Sequence, residues 1–359
     1  MVAAADTNPK PPDHPRDHSP AMMMASYAEK VERFHQTILP AQSVLIVTHD
    51  YPDPDCLASA YAFSSLLAHW GMKTAVITFG GFVGRAENRA MIRFLNISTV
   101  PYVLIELHDF ERIILVDCFP GKGNVSLPPH ARIDAIFDHH LDKPPIDAPY
   151  FHDVRNDLGA TATIATNYLL AADCPITPKL ATALFYGIKS DTNGGHRETS
   201  NEDLACYKML FEIMDHRLLS RIEHPDRDPE FFRTLHNAAE SMLTFGPVGY
   251  SHVGTVSTPD YVAEMADFFY SLEKIDWMIC SGTFKKNIFF SLRSKKMEEA
   301  GKKAETIARA LGGSGGGHGM MGAGKIPFEA HKDKEMLEQF FTIVKTTFAI
   351  GSESGKRII

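Results

Sequence analysis

The chain has 359 residues, 44% of them hydrophobic and 22% charged, which is enough apolar material for two packed cores and too much for a disordered protein. Its formal net charge of -8 excludes a broad cationic grip on long nucleic acid, although carboxylates at a metal site and an acidic surface would each produce that balance. No apolar run of about eighteen or more uncharged residues occurs and the N-terminus lacks the features of a secretory signal, so a cytoplasmic protein without a membrane partner is expected.

Residues 1 to about 22 are rich in Pro, Asp and His without apolar periodicity and are expected to form a disordered leader, with His14 and His18 in a solvated tail rather than a metal site. At residue 43 the pattern changes. SVLIVTHD is a short β-rich run ending in polar residues, and a helical stretch over 56–70 follows it, a β-to-α step. KTAVITF (73–79), RIILVD (112–117) and ARIDAIFD (131–138) repeat the strand pattern, with helical patterns at ENRAMIRFL and TATIATNYLLAA and a further helix over 178–189 running into Asp191. An α/β fold follows, a mostly parallel sheet with helices on both faces. Residues 221–243, including HPDRDPE, read as a polar then helical connector. Beyond it a smaller α/β unit is expected, with strands at VGYSHVGTVS, DWMICSGTF and NIFFSLRS, helices near 261–272 and 302–311, and a glycine-rich loop over 312–319. The expected division is a leader over 1–22, a first domain over 23–220, a connector over 221–243 and a second domain over 244–359. Five scattered cysteines, Cys56, Cys118, Cys174, Cys206 and Cys280, never form a Cys-x-x-Cys pair and read as buried free thiols.

Polar residues gather at the carboxyl ends of the expected strands: His49 to Asp55, then Asp117, then Asp138, His139 and His140. In open α/β sheets ligands bind at that edge. HDYPDPDC puts His49, Asp53 and Asp55 in one strand-to-helix turn, where a single cavity can receive all three. Alone, any of these aspartates would read as a helix cap or turn residue; together they point to metal. Carboxylate oxygens and imidazole nitrogens without thiolates suit manganese, magnesium, iron or zinc in five- or six-coordinate geometry. Several carboxylates can hold two ions about 3.5–4 Å apart, so two-metal hydrolysis is the chemistry that fits.

The ordered set resembles the DHH phosphoesterases, and within them the subgroup with a C-terminal DHHA1 domain, which includes nanoRNA-degrading and pAp-hydrolysing enzymes. His-x-x-Pro-Asp-x-Asp stands as His49, Pro52, Asp53 and Asp55; the second motif is Asp117; the third is Asp138-His139-His140; the fourth is Asp191-Thr192 in GIKSDT; and the C-terminal glycine motif is Gly315-Gly316-Gly317-His318. The motifs span nearly the whole chain beyond the leader. The resemblance implies two divalent ions, manganese foremost with magnesium as an alternative. It implies that His49 and Asp53 hold one ion, that Asp55, His139 and Asp191 hold the other, and that Asp117 bridges them. Asp138 would orient a histidine, and His140 would lie near the scissile phosphate. The chain departs from the family's usual Gly, Ala and Gly-Ser around the first motif, having Pro54, Cys56 and Ala58-Ser59, and has His196 where an aromatic residue is common.

GGSGGGHG alone reads as a flexible linker or as a nest of backbone N–H groups for an anion. In the resembling family this loop, here with Gly316, Gly317 and His318, and an arginine in the position of Arg293 grip the substrate's terminal phosphate; by itself Arg293 could equally be a strand-surface charge. A cleft between the domains is therefore expected, admitting a short oligonucleotide or small nucleotide but not long nucleic acid, in a chain compatible with a homodimer. The expected reaction is hydrolysis of phosphodiester bonds in short oligonucleotides or linear dinucleotides to nucleoside monophosphates. Hydrolysis of pAp-type phosphomonoesters stands next, then polyphosphate or pyrophosphate hydrolysis, with a regulatory nucleotide-binding protein as the alternative of a different class.

Overall fold

A computed structural model describes residues 20–122, 124–140, 150–195, 199–296, 300–318, 320–329, 332–351 and 354–359. His14, His18, His196, Gly319 and the His318 side chain lie outside the described residues. The chain divides into two compact units, one containing residues up to Phe82 and Met91–Ser220, the other Val83–Ala90 and Arg221–Ile359.

In the first unit α1 (Pro20–Ile38) precedes β1 (Ser43–Val47), α2 (Pro54–His69), β2 (Thr74–Phe79), the second half of α3 (Ala86–Leu95), whose residues 86–90 belong to the second unit, and β3 (Thr99–Pro101). After two single 3₁₀ turns come β4 (Arg112–Val116), β5 (Ala135–Asp138), β6 (Phe151–Val154), α4 (Thr161–Ala171), α5 (Pro178–Asp191), α6 (Asn201–Ile213) and α7 (His216–Glu223). The six strands lie in the order β3-β2-β1-β4-β5-β6, every pairing parallel. β1 is where the strand order reverses direction, so loops on either side of it open a crevice at the carboxyl edge. The strands are continuously apolar because both faces are covered. On one face Phe34, Phe63, Phe137, Phe151 and Tyr168 from α1, α2, β5, β6 and α4 form one aromatic cluster, Phe63 and Phe137 with ring centroids 4.0 Å apart. On the other, Leu45, Val47, Ile113, Leu115 and Ile136 are covered by Ile105, Leu107, Phe110, Val125 and Leu127. α2 is buried nearly all round because it also packs against α4 and α5; a side chain on Gly187 of α5 would come within 3.0 Å of Ala58.

The second unit holds α8 (Pro229–Glu240), β7 (Leu243–Phe245), β8 (Val248–Thr255), α9 (Asp260–Phe269), β9 (Trp277–Phe284), β10 (Asn287–Ser294), α10 (Ala300–Ala310), β11 (Ser314–His318), β12 (Met321–Pro327), α11 (Asp333–Thr347) and β13 (Lys356–Arg357). Its sheet, β11-β12-β10-β9-β8-β7-β13, is antiparallel except for the parallel pair β8–β9. Residues 221–243, expected as a connector, supply α8, whose Ala238 joins Met242, Val253, Met265 and Met278 in a core cluster. Val83–Ala90 also belong here: Arg85 pairs with Asp267 at 2.9 Å, and Arg227 bridges Glu87 and Glu264.

The glycine-rich run corrects an expectation. Its middle, residues 314–318, is not a loop but the edge strand β11, hydrogen-bonded to β12. The cause is close backbone approach by α10. A Cβ on Gly315 would lie 2.7 Å from the Ala304 carbonyl oxygen, one on Gly322 2.5 Å from that of Ala300, and one on Gly301 2.1 Å from that of Gly317. Only residues without a side chain let a helix settle this near a strand pair.

Candidate metal centre

The turn after β1 separates its carboxylates by what each one binds. Asp50 points away to fasten the loop, accepting from the N–H groups of Gly80 and Ser126 at 3.1 and 3.0 Å and from the Ser126 hydroxyl at 2.9 Å. Asp53 is the N-cap of α2, taking the Cys56 N–H at 3.1 Å, and Pro54 occupies the first turn. A proline there loses no helical hydrogen bond, so this departure from the family pattern leaves the helix start intact. Asp55 is fully buried and caps a different helix: its two oxygens accept from the N–H groups of Thr161 and Ala162, at 2.7 and 2.8 Å, at the start of α4, where the helix dipole favours an anion. Gly187 lets α5 close on this place, since a Cβ on it would lie 3.3 Å from Asp55 Cα.

Asp117 follows β4 directly with φ of 58°, a left-handed conformation that aspartate adopts more readily than most residues. It is held there by its N–H donating to the Phe137 carbonyl at 2.8 Å and by the Thr161 hydroxyl donating to Oδ1 at 2.8 Å. Asp138 ends β5 and accepts from His140 Nδ1 at 2.7 Å, while its buried Oδ2 has no hydrogen-bond partner among the described residues. Asp191 closes α5, whose last turn is capped by the Thr192 hydroxyl on the Ile188 carbonyl.

The histidines face this group with lone pairs. His49 Nδ1 lies 2.9 Å from the Asp50 carbonyl and His139 Nδ1 lies 3.3 Å from the Leu158 carbonyl. A carbonyl only accepts, so Nδ1 carries the proton in each ring and Nε2 presents a lone pair. His49 Nε2 stands 3.6 Å from Asp53 and 3.7 Å from Asp117; His139 Nε2 stands 3.3, 3.7 and 3.9 Å from Asp191, Asp117 and Asp55. Among the described residues His139 Nε2 is buried without a hydrogen bond. Lone pairs and carboxylates crowded together repel unless positive charge lies among them.

The electrostatics of the cluster make the same demand. Burial, then the neighbouring Asp117 and Asp191, pushes the Asp55 carboxyl well above the usual range, and burial with Asp53 pushes Asp117 up to about 6. Burial works against a charged His139, yet the Asp191, Asp117 and Asp55 carboxylates raise it well above an ordinary histidine, and the hydrogen bond from His140 to Asp138 raises His140. Protons are recruited where cations would otherwise neutralise the carboxylates. Among the described residues, three groups each have their donor atoms within 4.8 Å of one another: His49, Asp53, Cys56 and Asp117; Asp117, His139 and His140; and Asp55, His139 and Asp191. Asp117 belongs to two of them. The oxygen and nitrogen donors, the orphaned Nε2 and the mutual repulsion all fit divalent cations.

The sequence reading missed Thr161, which braces Asp55 through its backbone and Asp117 through its hydroxyl; a polar residue opening a wholly buried helix is the signal that could have found it. It also missed Cys56 as a possible donor. In the second unit Arg293 is buried on β10, its Nε donating to Asp267 and its Nη1 to the Leu292 carbonyl at 2.9 Å, so much of its fork is engaged. Gly316 and Gly317 are exposed on β11, with open space where a Gly316 side chain would stand and φ of 146° at Gly317.

Two family models match this chain, one in each half. The DHH family, N-terminal domain, matches residues 43–188, and the DHHA1 domain matches residues 246–349. A protein of Methanocaldococcus jannaschii named only as uncharacterized is 37% identical over 82% of this chain and 61% of its own length. A manganese-dependent inorganic pyrophosphatase of Methanothrix thermoacetophila is 29% identical over 42% of this chain and 48% of its own length. The chain thus spans about half to three-fifths of the length of these curated relatives. A crystal structure of an exopolyphosphatase-related protein from Bacteroides fragilis shares the fold, with a TM-score of 0.69, 14% identity, and coverage of 90% of this chain and 97% of that one. With both domain matches in order and the motif residues converging at one sheet edge, the chain belongs to the DHH family, with a C-terminal DHHA1 domain.

Proposed function

We propose that this protein is a two-metal phosphoesterase that hydrolyses phosphodiester bonds of short oligonucleotides or linear dinucleotides to nucleoside monophosphates. The observation that carries the reading is the buried crowd of carboxylates and imidazole lone pairs beside β1, centred on Asp117. His49, Asp53 and Asp117 would hold one divalent cation and Asp55, Asp117, His139 and Asp191 the other, manganese being preferred. Bound there, such cations supply Lewis-acid stabilisation of phosphoryl oxygens and acidify a water. The protein's own groups do the rest. Asp138 fixes the ring of half-exposed His140, leaving its Nε2 to donate to a phosphoryl oxygen or leaving group. Thr161 keeps the central carboxylate in its strained conformation. The exposed glycine strand around Gly316 and Gly317, with His318 and what remains of the Arg293 fork, would take the substrate's terminal phosphate.

The choice of substrate rests on the DHHA1 domain and on the net charge of -8, which disfavours long strands. A second reading, pyrophosphate hydrolysis, draws on the named pyrophosphatases, which align with less than half of this chain. The test is metal-dependent product release from a panel of pApA, a short RNA, pAp and pyrophosphate, with metal content measured on the same preparation. Monophosphate release from pApA and RNA is expected. Turnover of pyrophosphate alone would select the second reading, and full activity after thorough metal removal would refute both.

A further inference from the structure

The donor group around His49 contains an atom that the oxygen-and-nitrogen reading does not use. The Cys56 sulfur lies with ligand atoms of His49, Asp53 and Asp117 inside a 4.8 Å span, close enough for all four to meet at one ion. Cys56 is fully buried in the first turn of α2, one turn from the cap Asp53, and its thiol reaches back 3.4 Å to the Asp53 carbonyl. Helical placement therefore directs the sulfur toward the same corner as the Asp53 carboxylate. The other thiols do not share this position. Cys118, although it follows Asp117, turns to the Val47 carbonyl at 3.6 Å, and among the described residues no other cysteine joins a metal-competent group.

We propose that Cys56 is a further ligand of the cation held by His49, Asp53 and Asp117, and that it selects thiolate-tolerant divalent ions over magnesium at that position. The inference rests on the two-metal reading above. On binding, the S–H bond breaks heterolytically, the proton leaves to bulk water, and the sulfur lone pair forms the bond to the ion; no electron transfer is involved. A soft thiolate favours cobalt, zinc and iron, whereas magnesium binds oxygen and holds its hydration shell. Two divalent positions a few ångströms apart would then differ in selectivity, the His139 position being made of oxygen and nitrogen alone.

Cobalt titration of the metal-free protein tests this without recourse to activity. Wild type should show visible ligand-field bands together with a near-ultraviolet thiolate-to-cobalt charge-transfer band. Cys56→Ala and Cys56→Ser should keep the visible bands and lose the charge-transfer band, while Cys118→Ala should keep both. Serine preserves the side-chain volume, so loss of the band in that variant cannot be assigned to a collapsed helix start. In competition, the Cys56 variants should lose about tenfold or more in zinc affinity at one position with magnesium affinity unchanged. Visible bands without the charge-transfer band in wild type, or a band that survives Cys56→Ala, would overturn the proposal and leave the two-metal reading standing. Absence of bound cobalt from every variant, measured as metal content, would overturn both.

Discussion

Thr161 and Asp117 show how much of the site depends on one hydroxyl. Asp117→Ala should abolish activity, because it removes the carboxylate common to two donor groups. Thr161→Val keeps the backbone bond to Asp55 and deletes only the bond to Asp117, so it should cost about 10–100-fold in metal affinity or activity. Calorimetric metal titration of the two variants checks this, and unchanged affinity in Thr161→Val would remove that residue from the account. Glu264 makes a prediction about pH. It is buried, with Oε2 accepting from Arg227 at 2.7 Å and Oε1 without a hydrogen bond among the described residues, and burial pushes its carboxyl up to about 7 from 4.5. A folded value raised above the unfolded one means a contribution to stability that is present below about pH 4.5 and lost as pH rises through about 7. Relative to wild type, Glu264→Gln should therefore gain melting temperature between about pH 5 and pH 8, by the equivalent of on the order of 1–2 kcal/mol. A flat difference between the two melting curves over that range would count against it.

At the scale of elements, α10 lying on β11 and β12 explains why glycines recur in that strand pair. Gly301→Ala would drive a methyl group into the Gly317 carbonyl and should lower stability by about 1–3 kcal/mol, as overpacking does. Gly316→Ala faces open space and should leave the melting temperature nearly unchanged. If this strand grips the terminal phosphate, Gly316→Ala should instead raise KM with little change in kcat. Denaturant unfolding and steady-state kinetics of the pair separate the two effects, and unchanged stability in Gly301→Ala would show that α10 has room to shift. The same glycine run thus combines a packing requirement on one side with an accessible backbone on the other.

For the whole molecule, the carboxylate crowd predicts that cations and folding are linked. Manganese at about 100 times its dissociation constant should stabilise the unit that carries the cluster by about 2.7 kcal/mol per site, and chelation should reverse this. Calorimetry with and without chelator measures it; identical melting would mean that the cluster holds no ion. The acidic balance bears on substrates as well. With a net charge of -8, a long strand would gain few phosphate contacts and would meet repulsion outside the site. We expect kcat/KM per end to fall as RNA lengthens from two to about ten nucleotides, with a shallow salt dependence. Processive degradation of long strands with steep salt inhibition would contradict this. Among the described residues, no helix is long and apolar enough to cross a membrane.

The amino-acid sequence by itself determined the parallel α/β layout and the identity of the polar residues at the strand ends. Apolar runs, helix caps and strand-to-helix steps are local patterns that neighbouring residues impose on one another. It did not determine which carboxylates of HDYPDPDC turn inward. Asp50 is taken by Gly80 and Ser126, Asp55 by the start of α4 some 106 residues away, and Asp53 by its own helix. Nor did it decide that the glycine run is a strand, because that depends on how closely α10 approaches, or that Arg293 is engaged by Asp267. A side chain leaving a turn, and a backbone free of side chains, take their geometry from partners distant along the chain. Only tertiary structure brings those partners within reach.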